Sequence, residues 1–200
     1  MVERQRKIVV VDLDGTLIDG NSLHLYIRTA LSHSSLTVKA RIASLLALRK
    51  MRLISHTTMK FAILNMVKPD EAFRKHFVQQ FEKMKRQSVV SLIDIYTDNG
   101  AIIVLATAAP DIYLPWIWTG KYVATQTDNN PLHKECRGKS KLEAVRQYMD
   151  NGTLEAVITD HTDDLPLLLA GARTNILVNP SKRLTDTLTG RHIPYIILPD

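Results

Sequence analysis

The stretch Ile8-Val9-Val10-Val11-Asp12-Leu13-Asp14-Gly15-Thr16-Leu17 decides the fold of this 200-residue chain. Four consecutive β-branched residues run into two carboxylates, a glycine and a hydroxyl. The apolar run is short, continuous and free of polar interruptions, which is the pattern of a strand buried on both faces. Asp12 and Asp14 then stand where that strand opens into a loop, at its carboxyl end. Open α/β sheets hold their ligands in that crevice. Two acids so close to a core need compensation, because unpaired buried charge is costly. A bound cation is the natural partner.

Outward from this stretch the pattern turns helical. Leu23, Tyr26, Ile27, Ala30 and Leu31 recur at helical spacing behind Asn21 and Ser22, both candidate caps. Further helices are predicted over 37–50 and 56–67, and a fourth carries Phe73, Phe77, Phe81 and Met84 on one side. Asp70 and Glu71 open that fourth helix, and Lys83, Lys85 and Arg86 are expected in its last turn, as the helix dipole prefers. Some 65 helical residues without a strand are too many for one crossover, so an inserted all-helical subdomain is expected. From Val89 helix and strand alternate: a helix ending at Asn99-Gly100, a strand over 101–106, and a helical segment over 112–118 broken by Pro115. A strand over 122–124, a polar turn over 127–131 and a helix from Ser140 to Met149, ending at Asn151-Gly152, come next. A strand over 156–159, a short helix over 164–170, a strand over 175–178, a helix over 184–188 and a strand over 195–198 complete the chain. The alternation predicts an α/β fold, a Rossmann-like, mostly parallel sheet with helices on both faces. The expected division is a core of residues 1–19 and 88–200 and a helical cap of residues 20–87.

Composition narrows the setting. Hydrophobic residues make up 45% and charged residues 23%, as in ordinary globular chains. Cys136 is the sole cysteine, which excludes an intrachain disulfide and suits a reducing compartment. The N-terminus shows no signal-peptide pattern, and the apolar stretch over 42–48 is far short of a membrane span; a cytoplasmic protein is expected. The net charge of +6 is uneven: residues 21–86 hold 13 Lys and Arg against three acids, the remainder 13 against 17. Such a basic segment is either a set of solvated helix faces or a field for an anionic substrate or surface. Nucleic acid is not expected, since no recognition motif or aromatic–basic stacking pattern accompanies the charge.

Polar residues fall at the ends of three strands: Asp12 and Asp14 after the first, Thr107 after the second, and Asp160, Asp163 and Asp164 after the strand ending at Thr159. In a parallel sheet these ends share one edge, so the residues converge on one pocket. Hard oxygen donors in that number suit Mg²⁺, which takes one or two carboxylates and keeps waters or substrate phosphate. Asp163 is open between a helix cap and a ligand. His24, His33, His56 and His76 lack metal-ligand spacing. Trp116 and Trp118 are expected in the core or an interface.

The ordered set Asp12-Leu-Asp14-Gly-Thr-Leu, Thr107, Gly138-Lys-Ser-Lys141 and Asp160-His-Thr-Asp-Asp164 resembles the four motifs of the haloacid dehalogenase superfamily. The helical insert between the first two motifs is similar to that of its phosphoserine-phosphatase-like subgroup. The resemblance implies a phosphatase working through an aspartyl-phosphate on Asp12, with Asp14 as general acid and base. It implies that Thr107, the amide of Ala108, Gly15 and Thr16 contact the substrate, and that Lys141 offsets phosphoryl charge. It also assigns Mg²⁺ to Asp12, Asp14 through its carbonyl, and Asp160, with Asp164 as ligand or orienting support. An acid at position 14 sets the chain apart from dehalogenases and transport ATPases of the superfamily. His161 stands where relatives commonly carry serine.

Substrate choice is expected to lie in the insert. Asn21 occupies the position at which phosphoserine phosphatases carry a glutamate that reads the substrate amine, which weighs against phosphoserine. The expected substrate is a small phosphorylated metabolite or a lipid-linked phosphate, since the basic, leucine-rich stretch 42–54 bears some likeness to caps of phosphatidylglycerophosphatases of the superfamily. A basic amphipathic helix can lie on an anionic bilayer as a peripheral membrane contact. The alternative, that Ile42, Leu45 and Leu46 fill the insert's own core, is the expectation taken here. A phosphotransferase or mutase on the same chemistry, and a non-catalytic phosphate-binding module, are the competing functions.

Overall fold

The computed structural model describes residues 6–128, 134–150 and 152–199. The opening stretch is the strand β1 (Arg6–Val11), and it lies inside a six-stranded sheet of order β3-β2-β1-β4-β5-β6. The other strands are β2 (Ile102–Pro110), β3 (Lys121–Thr125), β4 (Gly152–Thr159), β5 (Thr174–Val178) and β6 (Ile196–Leu198). Every pairing is parallel. Val11 is in register with Leu105 on β2 and with Ile158 on β4. The three central strands therefore end level, and the polar residues after them share one edge.

Alternate residues of β1 feed opposite faces, as the two-residue strand period requires. Ile8 and Val10 pack into a cluster with Val145, Leu167 and Leu184. These come from α7 (Lys139–Met149), α8 (Leu165–Leu168) and α9 (Lys182–Gly190). Val9 and Val11 join the cluster of Tyr26, Ile42, Ile63, Phe77 and Val89 on the other face. Those residues belong to α1 (Ser22–His33), α2 (Leu36–Lys50), α3 (His56–Met66), α4 (Glu71–Glu82) and α5 (Gln87–Asp98). Full burial of each such side chain is worth about 1.5–3 kcal/mol, so both faces are driven shut.

The inserted helices are joined to the sheet side by aromatic contacts. Tyr26 lies 5.1 Å from Phe73 and 5.5 Å from Tyr113, and Phe77 lies 5.1 Å from Tyr113, between ring centroids. Trp116 meets Phe77 at 5.7 Å, so it sits where the insert meets the segment after β2. Trp118 donates from its indole to the carbonyl of Lys121. Asn21 and Asp70 cap α1 and α4 through their side chains.

Three local expectations are corrected. The helix α4 ends at Glu82, so Lys83, Lys85 and Arg86 lie beyond its last turn; Lys85 pairs with Glu82 and Arg86 with Asp19. Pro115 sits in the first turn of α6 (Leu114–Ile117), behind a 3₁₀ turn over 111–113, so it starts a helix where a break was expected. A proline is tolerated there because the first turn's N–H groups have no helical acceptor. Gly152 is the first residue of β4, where an added Cβ would come within 2.7 Å of the Arg6 carbonyl, so close strand approach explains it. Part of the predicted turn over 127–131, and Asn151, fall outside the described residues. Among the described residues no helix is long and apolar enough to cross a membrane.

Candidate active site

The amide of Asp12 donates to the Ile158 carbonyl at 2.9 Å, extending the β1–β4 ladder by one residue before the chain turns. The turn closes through Leu17 N on the Asp12 carbonyl at 3.3 Å and Ile18 N on the Leu13 carbonyl at 3.1 Å. Gly15 has φ +83°, and a Cβ there would stand 2.3 Å from Oδ2 of Asp160. Glycine is needed at that point for both conformation and space. The buried Thr16 hydroxyl donates to Oδ1 of Asp160 at 3.0 Å. Gly15 and Thr16 were expected against the substrate; the structure places them beneath Asp160, outside the lining of the cavity described below.

Lys141, on the first turn of α7, is 3% exposed. Its ammonium donates to Oδ1 of Asp12 at 2.8 Å and stands 2.6 Å from Oδ1 of Asp164. The second oxygen of Asp164 accepts from the Thr159 hydroxyl at 2.7 Å. Both oxygens of Asp164 are thus engaged, and its part here is to hold Lys141 against Asp12. Asp14 accepts from Ser22 N at 2.7 Å and, through its other oxygen, from the Asn21 amide at 3.4 Å. Asn21 therefore serves two ends, since its own oxygen caps α1 by accepting from His24 N. Thr107 is buried and accepts from Ala109 N at 2.9 Å.

These groups open onto a cavity of about 250 Å³ lined by Asp12, Asp14, Thr107, Ala108, Lys141 and Asp164 on the sheet side. Asn21, Leu23, His56 and Lys60 face it from the insert, and Glu135, Arg137, His161 and Asp163 from two loops. Asp163 pairs with Arg137. Its amide donates to Nδ1 of His161 at 3.1 Å.

Lys60, like Glu135 and Arg137, is a cavity residue the sequence did not disclose. It is 3% exposed, donates to the Ala108 carbonyl at 2.8 Å and pairs with Glu135 at 3.1 Å. The one available signal was its place in His56-Thr-Thr-Met-Lys60, where a four-residue step puts histidine and lysine on one helix face. That spacing is common on solvated helices, and only the packing of α3 over the loop at Ala108 turns it inward.

Burial pushes the Asp12 carboxyl up to about 8, with Lys141 opposing and Asp164 and Asp160 adding to the rise. Burial also raises Asp14 against the lowering effect of the Ser22 hydrogen bonds and the nearby Lys60 and Lys141 charges. Asp160 is raised by burial against its bond from Thr16. Burial by itself would lower Lys141, but its contacts with Asp12 and Asp164 outweigh this and hold it well above its ordinary range.

Whether a metal fits can be judged from the donors. Asp12, Asp14, Asp160 and Asp164 follow the ends of two neighbouring strands, and among the described residues Lys141 is the one cation bonded to two of them. Asp12 Oδ2 has only a 3.5 Å contact from the Thr16 hydroxyl. Among the described residues no three acidic, histidine or cysteine side chains are grouped so that they could hold a metal ion between them. Two carboxylates and a main-chain carbonyl with room for water and phosphate oxygens suit Mg²⁺, whereas a structural zinc site would need a closed set. The donor types fit a hard divalent cation, but Asp160, expected in the pocket, lies outside the cavity lining with its oxygens against Thr16 and Gly15.

Comparison with known proteins bears on the family and the fold. The haloacid dehalogenase-like hydrolase family matches residues 9–169. No curated protein matches. A protein of unknown function from Bordetella pertussis Tohama I superposes with a TM-score of 0.73 at 18% identity, covering 98% of this chain and 100% of that one. A phosphoserine phosphohydrolase-like protein from Francisella tularensis subsp. tularensis SCHU S4 gives 0.53 at 18% identity, over 91% and 92% of the two chains. A phosphoserine phosphatase in its apo form gives 0.61 at 12% identity, over 98% and 94%. At these identities the likeness is one of fold.

Proposed function

The chain belongs to the haloacid dehalogenase-like hydrolases, and from that membership we propose that it hydrolyses phosphate monoesters through an aspartyl-phosphate on Asp12. The observation that carries the reading is the line Asp164–Lys141–Asp12. Lys141 occupies Oδ1 of Asp12 at 2.8 Å, which leaves Oδ2 to attack phosphorus. A carboxylate nucleophile divides one difficult displacement into two easier ones. Lys141 then faces the charge that gathers on the phosphoryl oxygens.

Asp14 gives its proton to the leaving oxygen and afterwards takes one from the water that cleaves the acyl-phosphate. Burial raises its pKa against the Ser22 hydrogen bonds and the nearby cations, in the direction a proton donor needs. The bond from Ser22 N at 2.7 Å fixes its plane from the start of α1. Thr107 and Ala108 border the cavity where the phosphoryl oxygens would lie. Mg²⁺, held by Asp12, the Asp14 carbonyl and Asp160, would neutralise phosphoryl charge.

Residues 20–87 act in this reading as a cap over a core of residues 1–19 and 88–200. The cap sets which leaving group enters, through Asn21, Leu23, His56 and Lys60. A small phosphorylated metabolite or the headgroup of a lipid-linked phosphate suits the cavity, whose walls mix cations, anions and a few apolar side chains. In this reading the protein works in a reducing, cytoplasmic setting, to which its single cysteine, Cys136, free and buried, is suited. The test is hydrolysis of an aryl phosphate with Mg²⁺. Wild type is expected to turn over and Asp12→Asn to lose at least ~10⁴-fold while keeping its circular dichroism and melting temperature; wild-type turnover by the variant would overturn the mechanism.

A further inference from the structure

The helix α2 meets the rest of the molecule on one side. Ile42 is its one buried residue, backed by the half-buried Val38, Leu45 and Leu46. The opposite side carries Leu36, Ala40, Ala43 and Ala47, all exposed, with Met51 at the end. Steps of three and four residues align these as one apolar stripe. Leu36 is 83% exposed, Met51 60%, and Leu53 just beyond the helix 67%.

The tip is a built feature. Arg52 has φ +60°, the left-handed position that glycine usually fills after a helix. Arg52 N donates to the Arg49 carbonyl at 3.0 Å and Leu53 N to the Leu48 carbonyl at 2.9 Å. This paired closure holds Met51 and Leu53 outward through the backbone. In the usual form of the motif the residue at the Leu53 position folds back on the helix; here it faces solvent.

Charge selects the occupant. Lys39 and Lys50 flank the stripe, Arg52 stands at the tip, and no acidic residue occurs between Asp19 and Asp70. A second copy laid on the stripe would oppose cation to cation. The stripe has no aromatic ring on which a base could stack. We propose that this stripe and its Met51–Leu53 tip dock on an anionic bilayer surface. The apolar residues enter the headgroup–acyl boundary while Lys39, Lys50 and Arg52 meet lipid phosphates. His56, which lines the cavity, is three residues from Leu53, at most about 11 Å of extended chain. Docking at the tip would thus hold one cavity residue within that reach of the bilayer, and it stands independently of the catalytic reading.

The test is sedimentation of the full chain with phosphatidylcholine vesicles holding about 30 mol% phosphatidylglycerol, against phosphatidylcholine alone, at about 0.15 M salt. Wild type is expected to pellet with the anionic vesicles and to stay in solution with the neutral ones. Combined Leu36→Ser, Met51→Ser and Leu53→Ser is expected to weaken binding by roughly tenfold or more, with hydrolysis of a soluble aryl phosphate unchanged. Combined Lys39→Gln, Lys50→Gln and Arg52→Asn is expected to weaken it similarly. Failure to pellet with anionic vesicles would overturn the proposal, as would wild-type binding by the serine variant. Equal retention of wild type and serine variant on DNA and on vesicles would mark plain polyanion affinity and overturn it too. If wild type binds vesicles but hydrolyses no phosphate ester, docking stands and the catalytic reading falls.

Discussion

The two walls of the cavity are built on different principles. On the sheet side Asp12, Lys141, Asp164 and Thr159 form a continuous chain of contacts between 2.6 and 2.8 Å. Their positions follow from ladder register, since β1 and β4 end level and α7 begins beside them. On the insert side the contacts across the cavity are few among the described residues: Asn21 and Ser22 reach Asp14, and Lys60 reaches the loop at Ala108. The sheet wall rests on hydrogen-bonded strands that cannot slide without exposing their core residues. The insert wall rests on ring contacts such as Phe77 against Tyr113 and on one buried cation. One wall is thus fixed by sheet register and the other by side-chain packing.

Several substitutions would sharpen or break this contrast. The largest effect is expected from Lys141→Met, which strands Asp12 and Asp164 as a buried acidic pair. A loss of about 10²–10³ in kcat should accompany about 3–5 kcal/mol of destabilisation, measured by steady-state kinetics and urea unfolding. If kcat holds, the sheet wall is not where charge is managed. Phe77→Ala should cost about 3–5 kcal/mol by opening the aromatic junction, with kcat/KM lowered more than the folded protein's kcat on a small aryl phosphate. Equal losses in both would mean that the junction serves the chemistry directly.

Lys60→Met is expected to be milder, roughly tenfold in kcat/KM. Its sign is readable in a pH profile. The Lys60 charge lowers the Asp14 pKa, so its removal lets that pKa rise further. The limb on which Asp14 loses its proton should move to higher pH. An unmoved limb with the same tenfold loss would reduce Lys60 to a tie between insert and loop. The smallest effect is expected at Cys136: with its thiol pushed to about 11 and buried, the folded protein should resist iodoacetamide at neutral pH. Rapid alkylation would show that the buried segment carrying Cys136 opens in solution.

Much of the sheet wall was legible because its signals are local. An unbroken β-branched run names a buried strand, and an acid after each of two such runs names the edge. The insert wall was not legible in that way. Lys60 reads like any helix cation until α3 is laid over Ala108. The contacts of Thr16 and Gly15 with Asp160 appear only once β4 is laid beside β1. Pro115 reads as a break where it starts a helix, because the 3₁₀ turn before it has no distinct sequence signature. The apolar residues of the stretch 42–54 show the same limit: Ile42, Leu45 and Leu46 turn inward as expected, while Met51 and Leu53 face solvent.

By itself the sequence determined the strand-and-helix order, the helical character of the insert and the set of carboxylates at the sheet edge. Each follows from spacing within a few residues, where backbone sterics and burial act locally. Only the tertiary structure decided which oxygen of Asp12 stays open, that Asp164 steadies Lys141, and that Lys60 comes inward while Leu53 stays out. Those outcomes depend on distances between segments up to 129 residues apart, such as Asp12 and Lys141, which sheet register and helix packing fix together.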